Sequence, residues 1–225
     1  MPWSEWIRTV EVEPSIYAAD FAHLGEQIEV LLRSECRVFH FDVGDGHFVE
    51  PITMGPIVLQ SISPIIHRYG GAIDVHLMVD DPVKHFRPVA EAGGDSVTFH
   101  YEAVDDVPAT IRAARENELQ VGVAFVPETE PEEVAKVSGS ADIVLCMSIH
   151  PGYSGQEFRP ETFERVTRLR AELPDTVHIQ VDGGVNQDNI KQLNDEGVTL
   201  FVAGNSIFSR EDLPRAYRRL VQALV

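Results

Sequence analysis

Val10-Glu11-Val12-Glu13-Pro14-Ser15-Ile16 is the stretch that separates two architectures. Its first residues alternate as a short strand does, and the run then stops on Pro-Ser-Ile. Repeated βα units can also build an open doubly wound sheet, but that fold carries a glycine-rich phosphate turn directly after its first strand. Residues 14–16 contain no glycine. Outward from this point, short β-rich runs occupy residues 10–14, 38–42, 73–77, 96–100, 121–125, 143–148, 178–182 and 200–203. Each is followed by a segment with helical periodicity. Leu24, Ile28, Leu31 and Leu32 fall on one stripe, as do Phe163, Val166, Leu169 and Leu173, which marks both stripes as core contacts. Eight βα units predict an α/β fold, a (β/α)8 TIM barrel.

Composition bounds the function. The chain has 225 residues, 44% of them hydrophobic, enough for a barrel core. No linker or low-complexity tract interrupts the alternation, so residues 1–225 are read as a single domain. Thirty-six acidic against eighteen basic residues give a formal charge of −18, which repels nucleic acid and acidic membrane surfaces. A small phosphorylated ligand is not excluded, because backbone amides and helix N-termini hold phosphate without basic side chains. Cys36 and Cys146 lie in apolar surroundings and make no disulfide framework, which points to a reducing cytoplasm. Residues 1–9 carry no long apolar run, and no stretch approaches the length of a membrane span. Trp3 and Trp6 are expected to cap the barrel bottom.

A β/α barrel places its chemistry at the carboxyl ends of the strands. The second run ends His40-Phe41-Asp42, the third contains Asp74-Val75-His76, and the seventh ends Gln180-Val181-Asp182. Alternate strand residues share a face, so His40 and Asp42 point together into the barrel mouth, where His76 and Asp182 can meet them. A lone histidine is more often a hydrogen-bonded core residue than a ligand. Four polar residues at strand ends instead suit one divalent ion such as Zn²⁺, Mn²⁺ or Fe²⁺. Glycines then cluster after the last three strands: Gly152, Tyr153, Ser154 and Gly155, then Gly183 and Gly184, then Gly204 and Asn205. In barrels this region holds phosphate groups.

These residues resemble the ribulose-phosphate 3-epimerase family. The resemblance runs from about Val12 to Phe208 and is carried by PSIYAADFAHLG from Pro14, FHFDVGDGHFV from Phe39, DVHLMV from Asp74, MSIHPGYSGQEF from Met147, VDGGVNQDNI from Val181 and FVAGNSIF from Phe201. It implies a barrel of the ribulose-phosphate-binding type with one divalent metal (Zn, Fe or Mn) on His40, Asp42, His76 and Asp182. Asp42 and Asp182 are implied as the proton-transferring pair that inverts C3 of a ketose phosphate through a metal-stabilised enediolate, D-ribulose 5-phosphate to D-xylulose 5-phosphate. Ser15 and His76 are implied as substrate contacts, and Gly152, Tyr153, Ser154, Gly155, Gly183, Gly184, Gly204 and Asn205 as the phosphate-holding segments. The family also implies a homo-oligomer.

The departures from the family pattern surround the substrate. Gly44 stands where the family has methionine, Glu50 and Pro51 replace Pro-Asn, and His150 replaces asparagine, while Met78 and Met147 keep their places. Loss of the methionine side chain at Gly44 is expected to widen the pocket, which brings in a longer ketose phosphate such as D-allulose 6-phosphate, or a branched one, as a second substrate reading. A sugar-phosphate sensor without turnover is a third reading, against which Asp42 and Asp182 stand. A related barrel decarboxylase would carry an Asp-x-Lys-x-x-Asp pattern, which is absent.

Overall fold

The computed structural model describes residues 9–153 and 155–224, so the expected positions of Trp3, Trp6 and Ser154 lie outside the described residues. Eight strands form one parallel sheet: β1 Glu11–Pro14, β2 Val38–Gly44, β3 Ala72–Met78, β4 Ser96–His100, β5 Gln120–Phe125, β6 Ile143–Met147, β7 His178–Asp182 and β8 Leu200–Ala203. The ladder order is β1-β8-β7-β6-β5-β4-β3-β2. Its two ends, β1 and β2, meet through a single parallel bridge between Ser15 and His40. The eight runs read from the sequence are these strands.

Between them lie α1 Leu24–Leu32, α2 Pro56–Arg68, α3 Val83–Glu91, α4 Val107–Arg115, α5 Pro131–Ser138, α6 Glu161–Glu172, α7 Ile190–Asp195, α8 Asn205–Phe208 and α9 Leu213–Ala223. Their starts follow from local chemistry. Asp106 accepts from the Ala109 amide at the head of α4, and Asp212 from the Arg215 amide at the head of α9, each followed by a leading Val-Pro or Leu-Pro. The α1 stripe Leu24, Ile28, Leu31 and Leu32 is buried, and in the second stripe Val166, Leu169 and Leu173 are buried while Phe163 packs against the core from a half-buried position.

Strand alternation divides the core into two parts. All seven residues of β2 are buried, yet Phe39, Phe41 and Val43 join the large cluster beneath the helices, while Val38 belongs to a separate cluster with Ala72, Ile143 and Leu200. These four sit at or next to the beginning of their strands and plug the amino-terminal end of the barrel. One pleat further on, at positions two residues later, the interior turns polar with His40 and Asp74. Cys36 and Cys146 are buried free thiols. No helix among the described residues is long and apolar enough to cross a membrane.

Candidate active site

Register assembles the site. Within the β2–β3 ladder His40 lies opposite Asp74 and Asp42 opposite His76, and Asp182 is the last residue of β7, opposite Met147. The four side chains converge. His40 Nε2 is 3.3 Å from Asp42 Oδ1 and 4.0 Å from Asp182 Oδ2, and His76 Nδ1 is 3.2 Å and 4.0 Å from the same two oxygens. The four candidate ligand atoms all lie within 4.8 Å of one another. Atoms that share an ion at about 2.0–2.2 Å stand about 3–4 Å apart, so the spacing fits a divalent metal. His40 Nε2 is also buried with no hydrogen-bond partner, which would cost about 1–3 kcal/mol in an otherwise satisfied interior. A metal ligand needs such a lone pair.

A second polar layer lies directly below. His40 Nδ1 is 3.2 Å from Asp74 Oδ2, and the other Asp74 oxygen accepts from Ser96 Oγ at 2.7 Å and Thr98 Oγ1 at 3.1 Å. The Gln180 amide donates to Asp74 Oδ2 at 2.9 Å and to Glu13 Oε2 at 2.6 Å. Asp74 therefore accepts a hydrogen bond from His40 Nδ1–H, which leaves Nε2 aimed at the cluster. Sequence reading placed Asp74 on the strand without giving it this role, and it passed over Glu13, Ser96 and Thr98. The available signal was polar residues at every second position of β4, Ser96, Thr98 and His100, between Val97 and Phe99.

The two carboxylates of the cluster are driven apart. Burial and the charge of Asp42 push Asp182 up to about 7. Asp42 is buried too, but the adjoining His40 and His76 outweigh that and hold it well below the usual carboxylate range. Ser15 Oγ donates to Asp42 Oδ2 at 2.7 Å. One member of the pair is thus disposed to carry a charge at neutral pH and the other a proton.

The glycine segments divide between two neighbouring cavities. Gly155, Gly183, Gly184, Gly204 and Asn205, with Ser15 and Asp182, line a cavity of about 320 Å³. Among the described residues no lysine or arginine lines it. Gly184 has φ +63°, and a Cβ there would stand 2.7 Å from the backbone nitrogen of Phe158, so the turn and the loop after β6 approach as only glycine permits. Gly152 and Tyr153 lie elsewhere. They line a smaller cavity of about 40 Å³ with Ser15, Asp42, Met78, Met147 and Asp182, beside the two carboxylates of the cluster.

The expected widening at Gly44 does not occur. A Cβ on Gly44 would meet the carbonyl oxygen of Pro51 at 2.8 Å and Val49 Cγ2 at 3.0 Å. The loop after β2 folds into that space, held by Gly44 N donating to Thr53 Oγ1 at 2.7 Å and Thr53 Oγ1 donating to Asp42 O at 2.8 Å. Glu50 accepts from the Tyr153 hydroxyl at 3.2 Å. His150 turns to Glu128, with Nε2 to Oε1 at 3.3 Å.

Residues 11–208 match the model of the ribulose-phosphate 3 epimerase family. The chain belongs to that family. It is 37% identical to ribulose-phosphate 3-epimerase of Escherichia coli (strain K12) over 219 residues, 95% of this chain and 93% of the relative. It is 32% identical to the enzyme of the same name from Bacillus subtilis (strain 168) over 211 residues, 92% and 96% of the two chains. As a member of this epimerase family it is an isomerase. Among solved structures the barrel resembles KGPDC from Streptococcus mutans, with TM-score 0.72 and 14% identity over 96% of this chain and 98% of that one. It also resembles 3-hexulose-6-phosphate synthase from Salmonella typhimurium, with TM-score 0.70 and 17% identity over 95% and 98%. These two likenesses concern the fold.

Proposed function

We propose that this epimerase inverts C3 of D-ribulose 5-phosphate to give D-xylulose 5-phosphate, with Asp42 and Asp182 as the proton-transferring pair. The observation that carries the reading is the convergence of both carboxylates on one pair of imidazoles, with Asp42 Oδ1 at 3.3 and 3.2 Å and Asp182 Oδ2 at 4.0 Å from His40 Nε2 and His76 Nδ1. Asp42, charged, takes the C3 proton from one face of the substrate. Asp182, protonated, delivers a proton to the other face, and in the reverse direction the roles exchange. The titration belongs to the pair as a unit. His40, Asp42, His76 and Asp182 would hold one divalent ion, Zn, Fe or Mn, whose positive charge stabilises the negative charge that develops on the substrate oxygen beside C3.

Ser15 orients the Asp42 carboxylate, and the buried Met78 and Met147 exclude water from the neighbourhood of the transferred proton. The glycine-lined cavity takes the phosphate on backbone amides, from Gly155, Gly183, Gly184, Gly204 and Asn205. Ser154 is assigned to the same loop from the sequence. Gly152 and Tyr153 cover the sugar. Because the loop after β2 fills the space at Gly44, the pentose is favoured over a longer ketose phosphate such as D-allulose 6-phosphate, and the ionisable pair is favoured over a sensor without turnover.

A single barrel domain, a cytoplasmic setting and homo-oligomeric assembly complete the proposal. Two buried thiols support the second, and the apolar groove between α1 and α2, with Phe21 and Ile57 exposed, supports the third. The test is solvent-deuterium incorporation at C3 by NMR, for D-ribulose 5-phosphate and D-allulose 6-phosphate, with protein of assayed metal content. Metal-dependent exchange of the pentose is expected. Exchange of the hexulose phosphate alone would move the substrate assignment, and exchange of neither would remove the catalytic one.

A further inference from the structure

His76 has a second ring nitrogen, and its surroundings are as ordered as those of the first. While Nδ1 faces Asp42 and Asp182, Nε2 lies 2.9 Å from Nε2 of His100, a fully buried residue at the end of β4. The two rings are inclined by only 27°. A contact of this length between two neutral imidazoles requires one nitrogen to carry the proton and the other the lone pair. The far side of His100 decides which is which.

His100 Nδ1 is 3.3 Å from Glu102 Oε2. A carboxylate accepts and does not donate, so the proton of His100 sits on Nδ1 and its Nε2 presents a lone pair. His76 must then carry its own proton on Nε2, and its Nδ1 is left as a lone pair directed into the cluster. Glu102 is itself fixed from outside the barrel. Its other oxygen accepts from the Val126 amide at 3.0 Å and from the Thr129 hydroxyl, and the Arg165 guanidinium of α6 braces the carbonyls of the same two residues. Phe48 covers the His100 ring, with centroids 4.7 Å apart.

We propose that His100 and Glu102 are positioning residues that hold His76 in the tautomer able to ligate a metal, so that the loop after β5 sets one ligand of the centre. The relay mirrors the arrangement on the other side, where Asp74 fixes His40, but it is longer by one imidazole and ends at the surface. It rests on the reading of the four-residue cluster as a metal site.

The test uses full-length protein stripped of metal and titrated with Co²⁺, with affinity read by competition against a chromophoric chelator and ligand field read from the visible d–d bands. Wild type is compared with His100→Leu, His100→Gln and Glu102→Ala, each checked for unchanged thermal unfolding in EDTA. Outer partners of ligating histidines contribute about 10- to 100-fold in metal affinity, so His100→Leu and Glu102→Ala are expected to weaken Co²⁺ by that factor and to alter the bands. His100→Gln keeps an oxygen that can accept from His76 Nε2 and is expected to stay within about 3-fold of wild type.

Wild-type affinity and bands in both His100→Leu and Glu102→Ala would overturn the relay, and so would equal losses in His100→Leu and His100→Gln, since packing would then be the cause. Wild type that takes up no Co²⁺ would overturn the metal reading and the relay together. Should His100→Leu fail to fold, Glu102→Ala decides alone, because that side chain lies 24% exposed at the rim.

Discussion

Ser15 Oγ donates to Asp42 Oδ2 at 2.7 Å while the backbone of the same serine forms the bridge to His40 that joins β1 to β2. The residue that completes the sheet thereby also orients the carboxylate proposed as the base. A hydrogen bond to a charged group contributes about 1.5–3 kcal/mol, and this one favours the ionised form. Ser15→Ala is expected to lower kcat/KM roughly 10- to 100-fold and to move the acid limb of the pH profile upward, with the fold retained. An unchanged profile would separate Ser15 from Asp42.

Asp42→Asn and Asp182→Asn each remove a proton carrier from the pair. Loss of general acid-base function costs about 10²- to 10⁴-fold, so both variants are expected to lose interconversion of the two C3 epimers by at least that factor, read by NMR, while far-ultraviolet circular dichroism stays the same. Retained interconversion in either variant would sink its assigned role.

Gly184→Ala places a side chain at φ +63° against Phe158. The strain is about 1–3 kcal/mol, and the displaced turn holds phosphate less well. A rise in KM on the order of 10-fold, corresponding to about 1.4 kcal/mol of binding, is expected with a smaller change in kcat. A kcat defect at unchanged KM would place the turn elsewhere in the mechanism.

The interior carboxylates set a pH dependence for the metal-free protein. Burial raises Glu13 to about 7, with Asp74 adding to it, and raises Asp182 to about 7 as well. Both groups ionise near pH 4 in the unfolded chain, so the folded state holds more protons. The associated stability is fully present below about pH 4, declines as pH rises and is lost beyond 7. Between pH 6 and 8 each group removes stability on the order of 1 kcal/mol, and His40, also raised, acts in the same sense, while His76 and His100, lowered by burial, act against it more weakly because an unfolded imidazole is only part protonated at pH 6. Urea unfolding of EDTA-treated protein should show a lower midpoint at pH 8 than at pH 6, and Glu13→Gln should make the decline shallower. Equal midpoints at the two pH values would contradict this account.

Gly44→Ala forces a methyl group against the Pro51 carbonyl. Overpacking of this kind costs about 1–3 kcal/mol, to be read as a lower unfolding midpoint. Were the position an open extension of the substrate pocket, the same change would leave stability alone and alter KM.

That glycine marks where sequence reading stopped. The strands were legible because each is a short apolar run between helical stretches, and the convergence of His40, Asp42, His76 and Asp182 was legible because strand alternation and strand ends give their direction. Gly44 was misread because the contents of the space beside it depend on the path of residues 49–53, tied down by the bridge between Asp45 and Ile52, and no local pattern encodes that path. Glu13 and Gln180 were passed over for a related reason. They meet Asp74 only when strands distant in the chain wrap into one ring with a definite stagger. The tautomer relay through His100 was half visible, as polar residues alternating along β4, but its outer anchor comes from the loop after β5.

The plug of Val38, Ala72, Ile143 and Leu200 at the base of the barrel makes the interior a vessel with one opening. Sugar phosphate and product therefore share the mouth at the carboxyl ends of the strands, and one must leave before the next can enter.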